Sequence, residues 1–379
     1  MERRASSPVI KYHAAARTGG DARLSIDKSD NLRILMSNFS IGVDLGGTNL
    51  RIAAVDENGT LLEKVTLGTG VSRGRARVIQ DMCDAIHRLA KQYEKKFSLL
   101  GVGIGIPGII DLQTGVMRES PNLPGWEGAS VKDEIEKCLQ SRPIVDNDAN
   151  VAALGEKWLG AGKQVDHLAI LTLGTGVGGG LVLNGRIWAG MSGMAGEAGH
   201  TTVEPDGVKC GCGNRGCLEQ YASATAIVRM AKEAVAAGAP GLRVAAGSDA
   251  EFSARAIYNL AIQGDEDAKK IFHQVGRCIG IVLSNLVNIL NLPMYVIGGG
   301  VCSAWEAFAP AMFEELRLRS MVYAATAPDS SSESLSSESM GASAKIESTG
   351  PTRTIITRAL LGSDAGLYGA ARLPMIMGS

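Results

Sequence analysis

The stretch SIGVDLGGTNLRIAAVDENGTLLEKVTLGT, residues 40–69, decides the fold of this chain. Its apolar runs predict three short strands at Ile41–Asp44, Leu50–Val55 and Leu62–Leu67, separated by two turns. The first turn is rich in glycine, and the second contains Asn58-Gly59, a dipeptide that strongly favours a β-hairpin. The stretch therefore predicts an antiparallel meander at the start of the ordered chain.

The same pattern of strand, glycine-rich turn and strand returns in HLAILTLGTGVGGGLVLNGRI, residues 167–187. After each copy the sequence changes to helical spacing, as at Val78, Met82, Ile86 and Leu89. Strands followed by helices are typical of α/β proteins, and two copies predict two related lobes. We therefore expect an α/β fold of two lobes with a central cleft.

The domain limits follow from these patterns. Residues 1–39 are polar without a sustained period, and we expect a disordered extension there. We expect a small N-terminal lobe over 40–147 with 364–379, and a large lobe over 148–363. Within the large lobe, residues 329–350 are rich in serine and predict a disordered insertion. A tolerated surface insertion is the favoured interpretation, and a phosphorylation or docking loop is the alternative.

Composition excludes several classes of partner. The formal net charge is −1, so the overall balance predicts binding neither to nucleic acid nor to an anionic membrane. No apolar run approaches about 18 residues without a charge or a glycine, which argues against a transmembrane helix. The basic N-terminal segment lacks the apolar core of a secretory signal. We expect a cytoplasmic protein whose cysteines stay reduced.

The glycine-rich turns are candidate phosphate-binding sites, because uncovered backbone N–H groups in a tight turn can form an anion-binding concavity. The alternative for each turn alone is an ordinary glycine hairpin, and the GxxxxGK[ST] loop is absent from the sequence. Asp44, at the end of the first predicted strand, could hold hydrated Mg²⁺. The candidate residues are Asp44, Gly46, Gly47, Thr48 and Asn49 in the first turn, Gly174, Thr175 and Gly176 in the second, and Gly299 and Gly300 in a third cluster.

The segment VDNDAN, residues 145–150, contains the candidate general base. Asp148 lies at a predicted junction of strand and helix, where a carboxylate can accept a proton from a hydroxyl group during phosphoryl transfer. The alternative is a helix N-cap, a common position for aspartate. Asn147 could orient a ligand, and we interpret Asp146 as structural.

The loop at residues 197–219 has the spacing of a metal site. His200, Cys210, Cys212 and Cys217 supply one nitrogen and three sulfurs, a closed tetrahedral set for a structural Zn²⁺. A disulfide would leave one cysteine unpaired, and a ring between the two nearest cysteines would be strained. Glu197 and Glu219 flank the loop and could hydrogen-bond ligand hydroxyl groups in pairs, or form a solvated pair of loop glutamates.

Two further polar turns, GIPGIID at 105–111 and SPNLPGW at 120–126, are candidates for the lining of a small-ligand pocket. Gly108 would offer backbone contacts, and the amide of Asn122 offers both a donor and an acceptor. For Trp126 we favour core packing over a ligand contact.

The motifs together resemble the ROK family of sugar kinases and repressors. The matching segments, in family order, are VDLGGTNLR, VDNDANVAALGE, LTLGTGVGGG, GEAGHTTVEP, CGCGNRGCLE and VIGGG, and they extend over about residues 41–373. The resemblance implies the actin-like ATPase fold, with two ribonuclease-H-like lobes that bind ATP and Mg²⁺ between them. It also implies that Asp148 is the general base and that the chain forms a homodimer. The sugar-contacting positions implied are Asn122, Asn147, Glu197, His200 and Glu219.

In this family the histidine that matches His200 both ligates zinc and points at the sugar, and the three cysteines match the other ligands. The turns GIPGIID and SPNLPGW resemble the bacterial glucokinase branch most, so the resemblance predicts ATP-dependent phosphorylation of glucose at the 6-hydroxyl. Kinases for N-acetylmannosamine, fructose or another hexose, and polyphosphate as the donor, stay open. A sugar-sensing repressor is less favoured, because residues 1–39 are too short for a winged helix-turn-helix.

Overall fold

The computed structural model describes residues 37–239, 241–242, 252–327 and 353–377. These residues belong to one compact unit, Ser37–Ser379. The disordered extension expected over residues 1–39 lies, except for its last three residues, outside the described residues. Its expected end is wrong, because Asn38 and Phe39 belong to the first strand and Phe39 is buried in the core. The serine-rich insertion expected at 329–350 also lies outside them.

The first sheet contains the predicted meander. The strands of the first half are β1 (Asn38–Leu45), β2 (Asn49–Asp56), β3 (Leu61–Gly68), β4 (Ser98–Ile106), β5 (Ile109–Ile110), β6 (Met117–Glu119) and β7 (Ile144–Asn147). Five of them form a sheet in the order β3-β2-β1-β4-β7, and β5 pairs with β6 in a separate ribbon. The three strands predicted from the opening stretch are confirmed, each longer by two to four residues.

The second sheet repeats this arrangement. Its strands are β8 (Leu168–Leu173), β9 (Val177–Leu183), β10 (Arg186–Ile187), β11 (Met294–Gly298) and β12 (Ile355–Arg358), in the order β10-β9-β8-β11-β12. In both sheets three antiparallel strands come first, and two strands are then added in parallel to the first strand of the meander. The predicted duplication is confirmed.

Helices cover and connect the two sheets. The α-helices of four or more residues in the described ranges are α1 (Arg75–Tyr93), α2 (Val131–Leu139), α3 (Asp148–Trp158), α4 (Glu219–Ala222), α5 (Ala224–Ala236), α6 (Ala254–Ile262), α7 (Glu266–Leu290), α8 (Trp305–Arg319), α9 (Met321–Thr326) and α10 (Ala365–Met377). The amphipathic pattern at residues 78–89 forms α1, as predicted. The sequence interpretation missed α2, although Val131, Ile135 and Leu139 recur four residues apart and are buried.

Each sheet has its own apolar core. The first core combines β1, β2 and β4 with α1 and α2, around side chains such as Phe39, Met82 and Trp126. The second combines β8 and β11 with α5 to α9, and α7 carries twelve buried residues through its centre. This burial explains why the sequence of α7 is apolar on most of its surface. In the part of the chain that the structure describes, no helix combines the length and apolarity needed to cross a membrane.

The chain crosses between the sheets at two places. It leaves the first sheet after β7 through α3, and it returns from β12 through residues 359–364 into α10, which packs on β1 and β4. The helices α3 and α10 lie backbone to backbone, because an added Cβ at Gly155 would meet Ala365 and one at Gly369 would meet Val151. The expected lobe limits at 147/148 and 363/364 stay predictions.

Candidate active site

The first glycine turn joins β1 to β2, and residues from other segments of the chain hold it in place. The N–H of Gly46 donates to the Asn49 carbonyl at 2.9 Å. Thr69, a buried residue at the end of β3, donates its hydroxyl to the Gly46 carbonyl at 2.6 Å and its N–H to the Thr48 carbonyl at 2.9 Å. Gly47 lies against the Asn122 backbone, where an added Cβ would come within 2.8 Å of the carbonyl oxygen. The turn is therefore held by contacts with the rest of the protein, and Thr48 and Asn49 are exposed on it.

The second turn joins β8 to β9 and has a similar support. Gly174 donates to the Gly176 carbonyl at 2.9 Å, and Thr225 donates its hydroxyl to the Thr175 carbonyl at 2.8 Å. Oε2 of Glu219 accepts the N–H of Val177 at 3.0 Å, directly after the turn. One carboxylate oxygen of Glu219 is thus engaged in holding the turn.

The third glycine cluster lies beside the second turn. Gly299 has a φ of 86°, and an added Cβ there would meet the backbone of Leu173. Both the left-handed backbone and the close approach require glycine at this position. Gly300, in contrast, has open space where a Cβ would project.

Asp44 lies at the end of β1 and forms an ion pair. Nη1 of Arg51, its cross-strand neighbour on β2, is 3.0 Å from Oδ2 of Asp44. Burial raises the pKa of Asp44, while Arg51 acts in the opposite direction. An added Cβ at Gly366, at the start of α10, would lie 3.2 Å from the carboxylate. The sequence interpretation missed Arg51, although the register of the predicted hairpin places it opposite Asp44.

Asn147, and not Asp148, caps α3. Oδ1 of Asn147 accepts the N–H groups of Ala149 at 2.8 Å and Asn150 at 3.3 Å. The N-cap interpretation of Asp148 is therefore wrong, because the asparagine one position earlier has the extended backbone that a cap requires. The Nδ2 group of Asn147 donates to the Gly108 carbonyl at 3.1 Å, which connects two predicted ligand-contacting residues.

Asp148 is the first residue of α3 and occupies an acidic, partly enclosed position. Burial raises its pKa to about 6, and the neighbouring negative charges of Asp44 and Glu197 contribute to the rise. The N–H of Ala149, which donates to its Oδ1 at 2.9 Å, opposes the effect. The three carboxylates come from β1, α3 and the metal loop, so the tertiary fold brings three separate candidate groups together.

The structure confirms the core packing predicted for the last residue of the segment from Gly105 to Trp126. Trp126 is almost fully buried in the first core, which confirms core packing for its side chain. Ser120 is also buried and donates its hydroxyl to the Pro107 carbonyl at 2.9 Å, joining the two polar turns. Gly108 has a φ of 106° and lies against Ser120, so a side chain there would be strained and obstructed.

The four predicted metal ligands converge. The ligand atoms of His200, Cys210, Cys212 and Cys217 all lie within 4.8 Å of one another. Nδ1 of His200 is 3.6 Å from Sγ of Cys210, and the sulfurs of Cys212 and Cys217 are 3.7 Å apart. Ligands at about 2.0–2.3 Å in a tetrahedron are separated by about 3.5–3.8 Å, so the set fits a zinc ion.

Glu197 connects the metal loop with the cleft. Its Oε2 lies 4.0 Å from Nε2 of His200, the ring nitrogen that faces away from Cys210. Burial raises the pKa of Glu197, and the charges of Glu219 and Glu119 act in the same direction, whereas His200 opposes them. The side chain of Glu197 is still 40% exposed, so it can meet a ligand that enters from solvent.

Two duplicated lobes, each with a glycine turn after its first strand, define the class of the molecule. This is the actin-like ATPase fold. A profile of the ROK family matches residues 40–349, and the chain belongs to that family.

Characterised relatives of both kinds, enzymes and repressors, are similar to this chain. The glucokinase of Thermotoga maritima is 41% identical over 70% of this chain and 83% of its own length. The xylose repressor of Caldicellulosiruptor bescii is 30% identical over 74% of this chain and 71% of its own. The structure of a ROK family glucokinase from Streptomyces griseus, in complex with glucose and AMPPNP, is 32% identical, with a TM-score of 0.67 over 89% of this chain and 99% of that one.

Proposed function

We propose that this chain catalyses the ATP-dependent phosphorylation of glucose at its 6-hydroxyl. The observation that carries the proposal is that the charges of Asp44, beside the first glycine turn, and of Glu197, on the metal loop, both act on the carboxylate of Asp148. A base in this position can serve a sugar hydroxyl group while the phosphates are held on the glycine turns. Similarity to glucokinases over most of the chain supports the same reaction.

The reaction is a direct in-line transfer. Asp148 accepts the proton of the attacking hydroxyl as the new bond to phosphorus forms. A pKa of about 6 suits this task, because the carboxylate is mostly ionised at neutral pH and is a stronger base than an ordinary aspartate. The attached helix α3 holds the carboxylate at a fixed place, which lowers the entropic cost of the step.

The phosphates bind on backbone N–H groups of both glycine turns. Thr48 and Asn49 are exposed on the first turn and can add side-chain donors. The carboxylate of Asp44 fits a hydrated Mg²⁺, which when bound would neutralise charge on the phosphates. Arg51 forms an ion pair with the same carboxylate.

The sugar is held by groups from both lobes. The first lobe supplies Asn122, Asn147 and the backbone of Gly108, and the second supplies the metal loop. Glu197, His200 and Glu219 are the metal-loop groups. Since Glu219 already accepts one backbone N–H, its other oxygen is the one available to a sugar hydroxyl.

We also propose that the metal is a structural Zn²⁺. Three thiolates and one imidazole complete a tetrahedron, so the ion stabilises the loop and leaves no position for reactive water. Its contribution to function is to fix His200 and, through it, the neighbouring Glu197. A homodimer and a cytoplasmic location stay predictions from the sequence.

The test is coupled ADP release with Mg-ATP against glucose, N-acetylmannosamine, mannose, fructose and no sugar. We expect glucose to dominate, and Asp148→Asn to lower kcat by about 10² or more while glucose still binds. Asp133→Asn, on the exposed face of α2, is the matched control and should keep wild-type turnover. No ADP release from folded, zinc-loaded protein with any of these sugars would contradict the proposal, and polyphosphate would then be tried as donor.

The similarity to xylose repressors supports sugar-responsive regulation as a second candidate function. A sugar-responsive regulator would bind glucose without turning it over. Calorimetric binding of glucose together with no ADP release would therefore favour regulation over catalysis.

A further inference from the structure

Glu156 is a fully buried carboxylate near the end of α3, eight residues after Asp148. Its two oxygens accept three backbone N–H groups. Oε2 accepts from Ala161 at 2.8 Å and from Leu360 at 3.1 Å, and Oε1 accepts from Leu361 at 2.8 Å. Hydrogen bonds to an ionised acceptor are the stronger kind, and here they replace the solvation that burial removes.

The three donors come from both places where the chain crosses between the sheets. Ala161 lies on the segment that runs from α3 to β8, the first strand of the second sheet. Leu360 and Leu361 lie on the segment that returns from β12 to α10, which packs on the first sheet. We call Glu156 with these three donors the crossing clamp.

The crossing clamp connects the two halves of the active site. Asp148 begins α3, the helix that carries Glu156. The returning segment leads directly into α10, whose first turn lies against the Asp44 carboxylate at Gly366. The glycine contacts between α3 and α10 leave little room for one helix to shift without the other.

We propose that Glu156 is a positioning residue for phosphoryl transfer. Through its bonds to both crossing segments, Glu156 holds the general base Asp148 on α3 in place relative to the Asp44 carboxylate. The inference rests on the proposed function. Loosening the crossing clamp displaces Asp148 from the phosphate without removing any group that touches sugar or nucleotide. The expected signature is a fall in kcat with little change in the KM for glucose, because the base acts only in the transition state and no group that contacts sugar is removed.

Two independent variants test this. Glu156→Gln keeps the shape but replaces one acceptor oxygen with an N–H donor. Leu361→Pro removes a single N–H donor, and the φ of −81° at this position is close to the value that proline requires. Leu361→Ala is the matched control, because it loses the leucine side chain and keeps the N–H.

We expect Glu156→Gln and Leu361→Pro to lower kcat about ten- to hundredfold, the cost of misplacing a reacting group by about 1 Å. Leu361→Ala should keep wild-type kcat, and the KM for glucose should change less than about threefold in all three. Measurements are made well below each melting temperature, on protein of checked zinc content.

Several outcomes would overturn the inference. Wild-type kcat in folded Glu156→Gln or folded Leu361→Pro would do so. A loss of kcat/KM that comes entirely from a higher KM for glucose would do so too. If neither variant folds while Leu361→Ala does, the carboxylate has a structural role only. An inactive wild-type chain would instead contradict the proposed function.

Discussion

Nε2 of His200 lies 4.0 Å from Oε2 of Glu197, while Nδ1 of the same ring lies 3.6 Å from Sγ of Cys210. One imidazole therefore connects the metal ligands with a carboxylate that is 40% exposed. When one ring nitrogen ligates a metal, the other carries the proton and can donate to an acceptor. The metal ligands, the carboxylate of Asp148 and the contacts of Asn147 lead to four predictions.

The first concerns the metal. Purified protein should contain about one zinc per chain, and Cys212→Ser should lose it, because a serine hydroxyl is a poor zinc ligand. The KM for glucose should then rise by at least about tenfold, since even removing a partner of a ligand costs about 10- to 100-fold. Elemental analysis and steady-state kinetics measure both effects. Cys138→Ser, on α2, is the control and should change neither, whereas a zinc-free protein with normal KM would remove the proposed link.

The second concerns pH. The general base must be ionised, so kcat/KM should rise with pH through an apparent pKa near 6 and level off above it. Glu197→Gln removes a negative charge that helps to raise the pKa of Asp148, and the acid limb should move to lower pH. The profile is read by its midpoint, because this variant also changes sugar affinity. Glu94→Gln, on the exposed surface after α1, should leave the midpoint in place, and a midpoint unmoved by Glu197→Gln would contradict the charge interaction.

The third concerns stability. The folded pKa of Asp148, about 6, lies above the ordinary value of 3.8, so the folded state binds its proton more tightly than the unfolded state. Protonated Asp148 therefore contributes stability that is fully present below about pH 4. This contribution is lost as the pH rises through 6 and the carboxyl group ionises. Asp148→Asn avoids that cost and should be more stable than wild type by about 1–3 kcal/mol at pH 8.

Thermal melts across pH 4–8 measure the stability effect of this substitution. The difference between Asp148→Asn and wild type should shrink as the pH is lowered through 6. A variant that is less stable than wild type at pH 8 would show that burial and like charge do not act on Asp148 as described.

The fourth separates the two contacts of Asn147. Asn147→Ala loses the helix cap and should cost about 1 kcal/mol of stability, together with the bond to the Gly108 carbonyl. Asn147→Ser keeps a capping oxygen and loses only the amide donor. We expect the serine variant to keep nearly wild-type stability and to share the raised KM for glucose of the alanine variant. Equal losses of stability in both variants would show that the cap is not the stabilising contact.

The sequence predicted the fold well because its signals are local. Alternating apolar residues and an Asn-Gly turn specify a meander from neighbouring residues alone. The repeat of that pattern later in the sequence predicted the second lobe. The helix α2 was missed because its apolar positions are few and its segment is otherwise highly charged. The alternative interpretation of Asp148 as the cap of α3 was wrong, since Asn147 and Asp148 are both good N-caps and only the backbone geometry distinguishes them.

The sequence by itself determined the glycine turns, the meanders and the metal ligand set, because each is built from residues close together in the chain. Only the tertiary structure placed Asp148 within reach of Asp44 and Glu197 and gave it a pKa near 6. The same is true of Glu156, whose partners at Leu360 and Leu361 are about two hundred residues away. Contacts of this kind depend on how two sheets and two crossing helices pack, and packing is decided by the whole chain at once.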